Sequence, residues 1–307
     1  MIQNTTSLMS SPIVEFQNVT KQFGNLKAVD DVSFHVNKGR IFGLLGPNGA
    51  GKTTSIRMLT YILIPDQGSV NMNGKKAGPE TQKQIGYLPE ERGLYKKMKV
   101  GEQLMYLCRL REVSREDARK SIKYWLERFE ASDLIGMEVG ELSKGMQQKI
   151  QFIATVAHDP ECLIFDEPFS GLDPINSEIL KEVILELRKA GKSIFFATHR
   201  MEQVEQLCDD IALFNKGKLV LNGNLRDIKA SYGKNSVRLR FSGDNRFLDN
   251  LSNVRINNRS TNFAEIRLLD GADDQLILME AQKHARIEGF ELIEPSIQEI
   301  FIDTVSK

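Results

Sequence analysis

IFGLLGPNGAGKTTSIRML, residues 41–59, joins an apolar strand pattern, a glycine-rich loop and a helical pattern without interruption. Glycines in such a loop let the backbone turn with its N–H groups directed inward, and the N-terminus of the following helix attracts anions. We therefore predict a phosphate-binding loop in which Lys52 reaches the outer phosphates of a nucleotide and Thr53 ligates a bridging Mg²⁺. The residues predicted to contact the nucleotide are Gly46, Pro47, Asn48, Gly49, Ala50, Gly51, Lys52, Thr53 and Thr54.

The length and composition of the chain indicate a folded protein with one large and one small domain. Its 307 residues exceed one average domain, and 41% hydrophobic with 27% charged residues are ordinary values for a folded protein. Lys plus Arg and Asp plus Glu both number 41, so no overall charge attracts nucleic acid or an anionic membrane. We therefore expect no nucleic-acid partner.

Cysteine usage and hydropathy point to a reducing compartment. Cys108, Cys162 and Cys208 show no CxxC pairing, which argues against a disulfide framework and against a zinc site. The N-terminal residues lack the basic and apolar pattern of a secretory signal, and no apolar run approaches the roughly 20 residues that cross a bilayer. We expect a cytoplasmic protein that would need a separate membrane-spanning partner to act in a membrane.

The pattern along the chain predicts two domains. Residues 13–222 alternate short apolar strand patterns with amphipathic helical stretches, which is typical of an α/β sheet covered by helices. The runs CLIFD and SIFFAT are almost wholly apolar, as expected of central strands. From residue 223 the strand patterns SVRLRF, FAEIRLL and FELIEP accompany helical patterns over QLILMEAQKHARIEG and SIQEIFIDTV. The predicted division is therefore 1–222 and 223–307, the second part being a small α+β domain.

The apolar run CLIF is followed directly by two carboxylates. Asp166 and Glu167 come at its carboxyl end, where α/β sheets bind ligands. Asp166 is predicted to hold Mg²⁺, and Glu167 to orient or deprotonate a water beside the terminal phosphate. Alone, an acidic pair after a strand is more often a solvated turn; together with the phosphate loop it indicates an ATPase.

Further motifs follow the phosphate loop in a fixed order. They are ELSKGMQQK at 141–149, LIFDEPFSGLDP at 163–174 and ATH ending in His199. With GPNGAGKTT, these segments resemble the Walker A loop, signature motif, Walker B strand with D-loop, and switch histidine of the ATP-binding-cassette (ABC) ATPases. The resemblance covers about residues 13–222 and implies a mixed sheet with a helical subdomain at about 94–140. It also implies ATP and Mg²⁺ as ligands.

The resemblance assigns roles to the remaining site residues. Glu167 and His199 would be catalytic, His199 facing the terminal phosphate; a surface turn is the alternative for this histidine. Phe23 resembles the aromatic residue that stacks on adenine, and a core position is its alternative. Ser143 would cap the helical pattern that follows it, and two chains would pack head to tail so that each completes its partner's ATP site. Without the family, Ser143 is a simple helix cap. The signature residues implied to contact the partner's nucleotide are Ser143, Gly145 and Gln147.

Two motifs depart from the family pattern, at three residues. Lys144 and Met146 stand in the signature motif where glycine and glutamine are usual. Glu90 stands where the family has the glutamine of the Q-loop, and its carboxylate can still ligate Mg²⁺ while adding negative charge near the triphosphate. Glu91 and Arg92 are the neighbouring residues that could share this role.

The resemblance also implies partners. A single cassette without a spanning segment is typical of transporters whose permease is a separate chain, and the helical subdomain would receive a short helix of that permease. PEERGLY, LSKGMQQK and PSIQEIFIDTVSK are similar to the exporter (ABC-2 type) branch. We therefore expect an ATP-hydrolysing subunit that forms a homodimer, or pairs with a related subunit, on the cytoplasmic face of a membrane. The alternative is a cassette ATPase that acts on ribosomes, nucleic acid or iron–sulfur assembly.

Overall fold

A computed structural model describes residues 12–91, 93–269 and 271–305. Two of our predictions from the sequence, for the N-terminal segment and for Arg92, concern residues outside the described ranges. The described chain forms two compact units that divide between Gly223 and Asn224. Within the described residues, no helix is long and apolar enough to cross a membrane.

The centre of the first unit is a six-stranded sheet. Its strand order is β10-β9-β3-β8-β7-β6, and β9, β3, β8, β7 and β6 run parallel. Every residue of β3, β7 and β8 is buried, as expected of parallel strands covered on both faces. The strand bounds are β3 Ile41–Leu45, β6 Ile85–Leu88, β7 Cys162–Asp166, β8 Ser193–Ala197, β9 Asp210–Asn215 and β10 Lys218–Asn224.

A second, antiparallel sheet packs against the first through aromatic side chains. Its order is β2-β1-β4-β5, with β1 Pro12–Phe23, β2 Leu26–Asn37, β4 Gln67–Met72 and β5 Lys75–Lys76. Phe34 of β2 stacks on Phe16 at 4.5 Å between ring centroids and on Phe42 of β3 at 5.3 Å. It also meets Phe214 edge to face. The two sheets therefore share one hydrophobic core.

Helices surround the sheets of the first unit. Their bounds are α1 Lys52–Leu59, α2 Pro79–Gln82, α3 Val100–Leu110, α4 Arg115–Arg128, α5 Lys144–Val156, α6 Pro174–Lys189 and α7 Met201–Leu207. Helix α4 and its C-cap residue bury Ile122, Leu126 and Phe129, which the helical spacing of the sequence places on one face. Two short 3₁₀ helices, Ser132–Gly136 and Val139–Glu141, lead from α4 to α5.

The second unit is an antiparallel sheet with helices. Its order is β12-β13-β11-β14, with β11 Ser236–Gly243, β12 Val254–Arg259, β13 Phe263–Leu268 and β14 Ala285–Ile293. The helices are α8 Leu225–Tyr232, α9 Asp274–His284 and α10 Ile297–Val305, with a 3₁₀ helix at Arg246–Asn250. Alternating residues of β11, Val237, Leu239 and Phe241, form its core with neighbouring strands.

Polar side chains tie α10 to this sheet. Asp303 accepts from Arg255 at 3.0 Å and from Arg267 at 3.2 Å, and Arg267 is almost fully buried. Glu299, also buried, accepts from Ser236 at 3.1 Å and from Asn257. Because each of these buried charged groups has hydrogen-bond partners, the helix carries the acceptors that the polar groups of the sheet require.

The helix predicted over QLILMEAQKHARIEG is wrong in its last third. Helix α9 ends at His284, and ARIEG belongs to β14. Ile287 lies opposite Phe241 of β11, so pairing with a neighbouring strand overrides the helical pattern of the local sequence.

Replacing Phe34 tests the contact between the two sheets. Phe34→Ala is expected to lower the free energy of unfolding of the first unit by about 3–5 kcal/mol, because it leaves a cavity among three aromatic rings. Urea unfolding followed by the fluorescence of Trp125 measures this loss. Phe23→Ala is the matched control, since Phe23 is half exposed, and should cost less than about 1 kcal/mol. Equal losses of unfolding free energy for the two variants would contradict the role of Phe34 in joining the two sheets.

Candidate active site

The loop between β3 and α1 has a backbone that only glycine adopts readily. Gly46 has φ 141° and Gly51 has φ 111°. A Cβ at Gly46 would lie 2.3 Å from the Phe214 carbonyl oxygen, and one at Gly51 would lie 2.5 Å from that of Ala28. The loop is therefore packed tightly against β9 and β2, and α1 begins directly after it. Pro47, Asn48 and Gly49 form its exposed face, where a ligand can approach.

Lys52 lies across the inside of this loop. It is 8% exposed, and its Nζ donates to the carbonyl oxygens of Gly46 at 2.6 Å and Pro47 at 3.1 Å. Burial lowers the pKa of Lys52, while the charges of Glu167, Asp166 and Glu90 act in the opposite direction. A buried cation in a loop of glycine N–H groups is suited to a polyphosphate. Thr53 is exposed beside it and Thr54 is half-buried, whereas Ala50 packs into the core.

Asp166 and Glu167 stand at the end of β7, on the same edge of the sheet as the phosphate loop. Asp166 is 4% exposed, and its pKa is raised from 3.8 to about 6 by burial and by the charges of Glu90 and Glu167. Glu167 has a left-handed backbone with φ 52°, which is uncommon for a residue with a side chain and is found at functional turns.

Glu167 connects β7 to the end of β8. Its Oε1 accepts from the backbone N–H of His199 at 2.8 Å and lies 2.7 Å from His199 Nδ1. Its Oε2 accepts from the hydroxyl of Thr198 at 3.1 Å. The Glu167 side chain is mostly buried and the His199 ring is mostly exposed. A carboxylate held at three points beside an accessible imidazole can orient a water molecule and accept its proton.

The signature residues lie at the start of α5. Ser143 is the N-cap of this helix and accepts from the backbone N–H of Met146 at 3.3 Å. Gly145 has open space where a side chain would be. Gln147 Nε2 donates back to the carbonyl oxygens of Val139 and Leu142. Throughout the described ranges, no hydrogen bond or ion pair links Ser143, Gly145 or Gln147 to the phosphate loop of the same chain.

Two glutamines of α5 contact the site but were not predicted from the sequence. Gln148 Nε2 donates to the Pro168 carbonyl oxygen at 3.1 Å, directly after the acidic pair. Gln151 Nε2 donates to the carbonyl oxygens of Pro89 at 3.3 Å and Glu91 at 3.2 Å. Both side chains are buried. The sequence did offer one indication of this role. The two glutamines are three residues apart on the buried face of an amphipathic helix, and buried amides require hydrogen-bond partners.

Phe23 lies at the end of β1 and is 48% exposed. The ammonium of Lys21 lies 5.6 Å from the centroid of its ring. Its position is therefore not in the core, and one face of the ring can accept a stacking partner.

The chain matches known proteins over both units. Residues 29–170 match the family described as ABC transporter, and residues 223–305 match that described as ATP-binding protein DrrA1-3-like, C-terminal domain. The ABC transporter ATP-binding protein YhaQ of Bacillus subtilis (strain 168) is 45% identical over 293 residues, which cover 95% of this chain and 98% of that protein. The chain belongs to the ATP-binding proteins of ABC transporters.

Two further comparisons agree with this membership. The Nod factor export ATP-binding protein I of Burkholderia pseudomallei (strain 1710b) is 34% identical over 244 residues, covering 76% of this chain and 80% of that protein. The solved ATP-binding subunit of an ABC transporter superposes with a TM-score of 0.68 at 29% identity, covering 72% of this chain and 93% of that one. The predicted α/β cassette fold is confirmed, and ATP binding and hydrolysis come with the family.

The raised pKa of Asp166 predicts that its charged carboxylate lowers the stability of the folded protein. The folded state binds the proton of Asp166 more tightly than the unfolded chain, so the charged carboxylate costs about 3 kcal/mol at pH 7.5, and this cost declines as pH falls from 6 towards 3.8. Asp166→Asn is expected to raise the free energy of unfolding by up to that amount at pH 7.5 and by roughly half of it at pH 5.

Urea unfolding at the two pH values measures this gain. Asp133→Asn, at an exposed carboxylate of the same unit, is the control and should change the free energy of unfolding by less than about 0.5 kcal/mol at both. A gain for Asp166→Asn that is the same at pH 5 and pH 7.5 would contradict the raised pKa.

Proposed function

We propose that this chain is the ATP-hydrolysing subunit of an exporter, and that it drives a separate permease from the cytoplasmic face of the membrane. The observation that supports this most directly is the Glu167 carboxylate, held by Thr198 and His199 on the edge of the sheet that carries the phosphate loop. The Nod factor export protein among its relatives supports the direction of transport. The cargo is a molecule that the permease selects.

The residues of the site fit ATP with Mg²⁺. The exposed residues Pro47, Asn48 and Gly49 let phosphate oxygens approach the loop, and Lys52 supplies the cation within it. Thr53 and Asp166 offer hydroxyl and carboxylate oxygens, which Mg²⁺ prefers, and Glu90 follows the neighbouring strand β6. When bound, Mg²⁺ would neutralise phosphate charge. Glu167 would orient the attacking water and accept its proton, while His199 would hold Glu167 and contact the terminal phosphate.

A second copy of the chain would complete each ATP site. Ser143 and Gly145 present the N-terminus of α5, a 13-residue helix with no acidic residue in its first turn. Such an end attracts anions, and within the described residues this one makes no hydrogen bond to the phosphate loop of its own chain. Two chains packed head to tail would place it over the partner's ATP. Phe23 would stack on the adenine, and Gln147 would hold the turn before α5.

Glu167→Gln tests both the base and the dimer. The amide keeps the shape of the side chain but accepts no proton, so the hydrolysis rate is expected to fall about 10²- to 10⁴-fold while ATP still binds. Phosphate release and light scattering with ATP would then show an inactive dimer. Lys52→Ala is the control that should neither bind ATP tightly nor dimerise. Hydrolysis at the parental rate by Glu167→Gln would reject the base assignment.

A cleft beside α3 and α5 is suited to a segment of the permease. Its cavity has a volume of about 300 Å³ and is lined by Ile62, Leu94, Leu107, Arg111 and His158 among others. Tyr106 and Leu110 are exposed on the same helix as Leu107. Apolar surface of this kind around a cavity is typical of a protein contact.

Arg111 gives this cleft a charge preference. Its Nη1 donates to the Gln82 carbonyl oxygen at 2.7 Å, and no carboxylate of the described residues forms an ion pair with it. Burial lowers the pKa of His158 to about 4, so Arg111 is the cation of the cavity at neutral pH. We therefore expect the docking segment of the permease to bring a carboxylate among apolar residues.

Binding to membranes tests the cleft. Arg111→Glu is expected to lower retention of the purified subunit on membrane vesicles stripped of peripheral proteins by tenfold or more, because the cleft would then repel the carboxylate. Arg109→Glu is the matched control, since Arg109 lies two residues before Arg111, at the end of α3, but outside the cavity. Sedimentation with vesicles measures retention. Equal retention of both variants would reject the cleft, and sedimentation with ribosomes instead of vesicles would reject the transporter role.

A further inference from the structure

The segment after β6 carries Glu90 to the acidic edge of the sheet. In the parallel pair of β6 and β7, Leu88 lies opposite Phe165. Strand β7 continues by one residue to Asp166, and the chain after Leu88 leaves the sheet beside it. Since neighbouring strands are about 4.8 Å apart, this register brings Glu90 close to Asp166.

Buried side chains of α5 fix the backbone on both sides of Glu90. Gln151 donates to the carbonyl oxygens of Pro89 and Glu91, and Thr155 Oγ1 lies 3.4 Å from that of Tyr87. Gln151 is 4% exposed. The side chain of Glu90 is thus attached to a held backbone, although it is itself exposed to solvent.

The charge of Glu90 acts on the site residues. It raises the pKa of Asp166 more than Glu167 does, although Glu167 is the next residue in the chain. It also favours the charged form of Lys52. Lys52 and Arg57 oppose these carboxylates at Asp166, with smaller effects than the carboxylates themselves. The edge therefore has an excess of negative charge where the terminal phosphate is proposed to lie.

Neither a free cation nor a free triphosphate suits this edge alone. Across residues 12–91, 93–269 and 271–305, no three His, Cys, Asp or Glu side chains converge closely enough to hold a metal ion. A triphosphate without a cation would bring its own negative charge towards Glu90, Asp166 and Glu167. A divalent cation bound to the triphosphate removes this repulsion and gains a further oxygen donor.

We propose that Glu90 makes ATP binding and divalent-cation binding mutually dependent, so that this subunit binds ATP more tightly as its metal complex than as the free triphosphate. The inference rests on the proposed ATP site but goes beyond it. It assigns to Glu90 a coupling between two ligands that a neutral glutamine at this position would not provide. Gln151 is the positioning residue for this effect.

Calorimetric titration of the purified chain with ATP tests the coupling. The value compared between the parent and its variants is the ratio of the ATP Kd in EDTA to the ATP Kd in Mg²⁺. Glu90→Gln keeps the size of an exposed side chain and removes its charge, so its ratio is expected to be about tenfold smaller than that of the parent. The decrease should come mainly from tighter binding in EDTA, since the repulsion acts on metal-free ATP.

Two further variants show whether the effect belongs to this position. Glu91→Gln removes the adjacent exposed charge and should leave the ratio unchanged. Gln151→Met removes the donors that hold Pro89 and Glu91, and should give a ratio between those of the parent and Glu90→Gln. A general loss of structure would instead weaken ATP binding equally with and without Mg²⁺.

The outcomes separate this inference from the proposed function. If the parent binds ATP equally well in EDTA and Mg²⁺, or if Glu91→Gln matches Glu90→Gln, the coupling by Glu90 is wrong while the ATPase assignment stands. If the parent does not bind ATP with Mg²⁺ at all, the proposed site fails and the inference fails with it. A smaller ratio in Glu90→Gln alone of the two glutamate variants supports the coupling.

Discussion

Parallel alignment of buried strands is the constraint on which the site depends. Strands β3, β8, β7 and β6 run in one direction and end at one edge, so the phosphate loop, the pair Thr198 and His199, the acidic pair and Glu90 meet there. None of these groups is near the others in the chain. Because the strands are almost fully buried, a shift in their register would expose core residues and move the site residues together. The buried core therefore determines which side chains meet at the site.

Helix α5 adds a second constraint. Gln148 holds the chain after β7, Gln151 holds the chain after β6, and Ser143 caps the end that we propose to face a second copy. Through its two glutamines the helix connects the loops of the proposed ATP site to the surface that would meet a second copy. Rotation of α5 would disturb both glutamine contacts, so closure of a dimer would reach both loops through one rigid element.

Much of the fold followed from the sequence, because its strongest patterns are also its most buried. The apolar runs of β3, β7 and β8 and the helical stripe of α4 depend on burial, which hydropathy reports directly. The strands β4, β5, β10 and β12 were not predicted, since they are short or polar and owe their form to pairing. The same cause ends α9 early at His284. The site residues carried by motifs could be named, whereas the partners that hold them could not. The contacts made by Thr198, Gln148 and Gln151 depend on distances that only the folded chain defines.

The C-terminal helix of the second unit has a role that its position in the chain conceals. Through Asp303 it supplies the negative charge for Arg255 and Arg267, and through Glu299 it accepts hydrogen bonds from Ser236 and Asn257 of the sheet. A shortened protein that lacked α10 would keep every strand, yet it would leave a guanidinium in the interior without a counter-ion. Such a unit would be prone to protease digestion and aggregation, so a tag or fusion partner is better attached after this helix than in place of it.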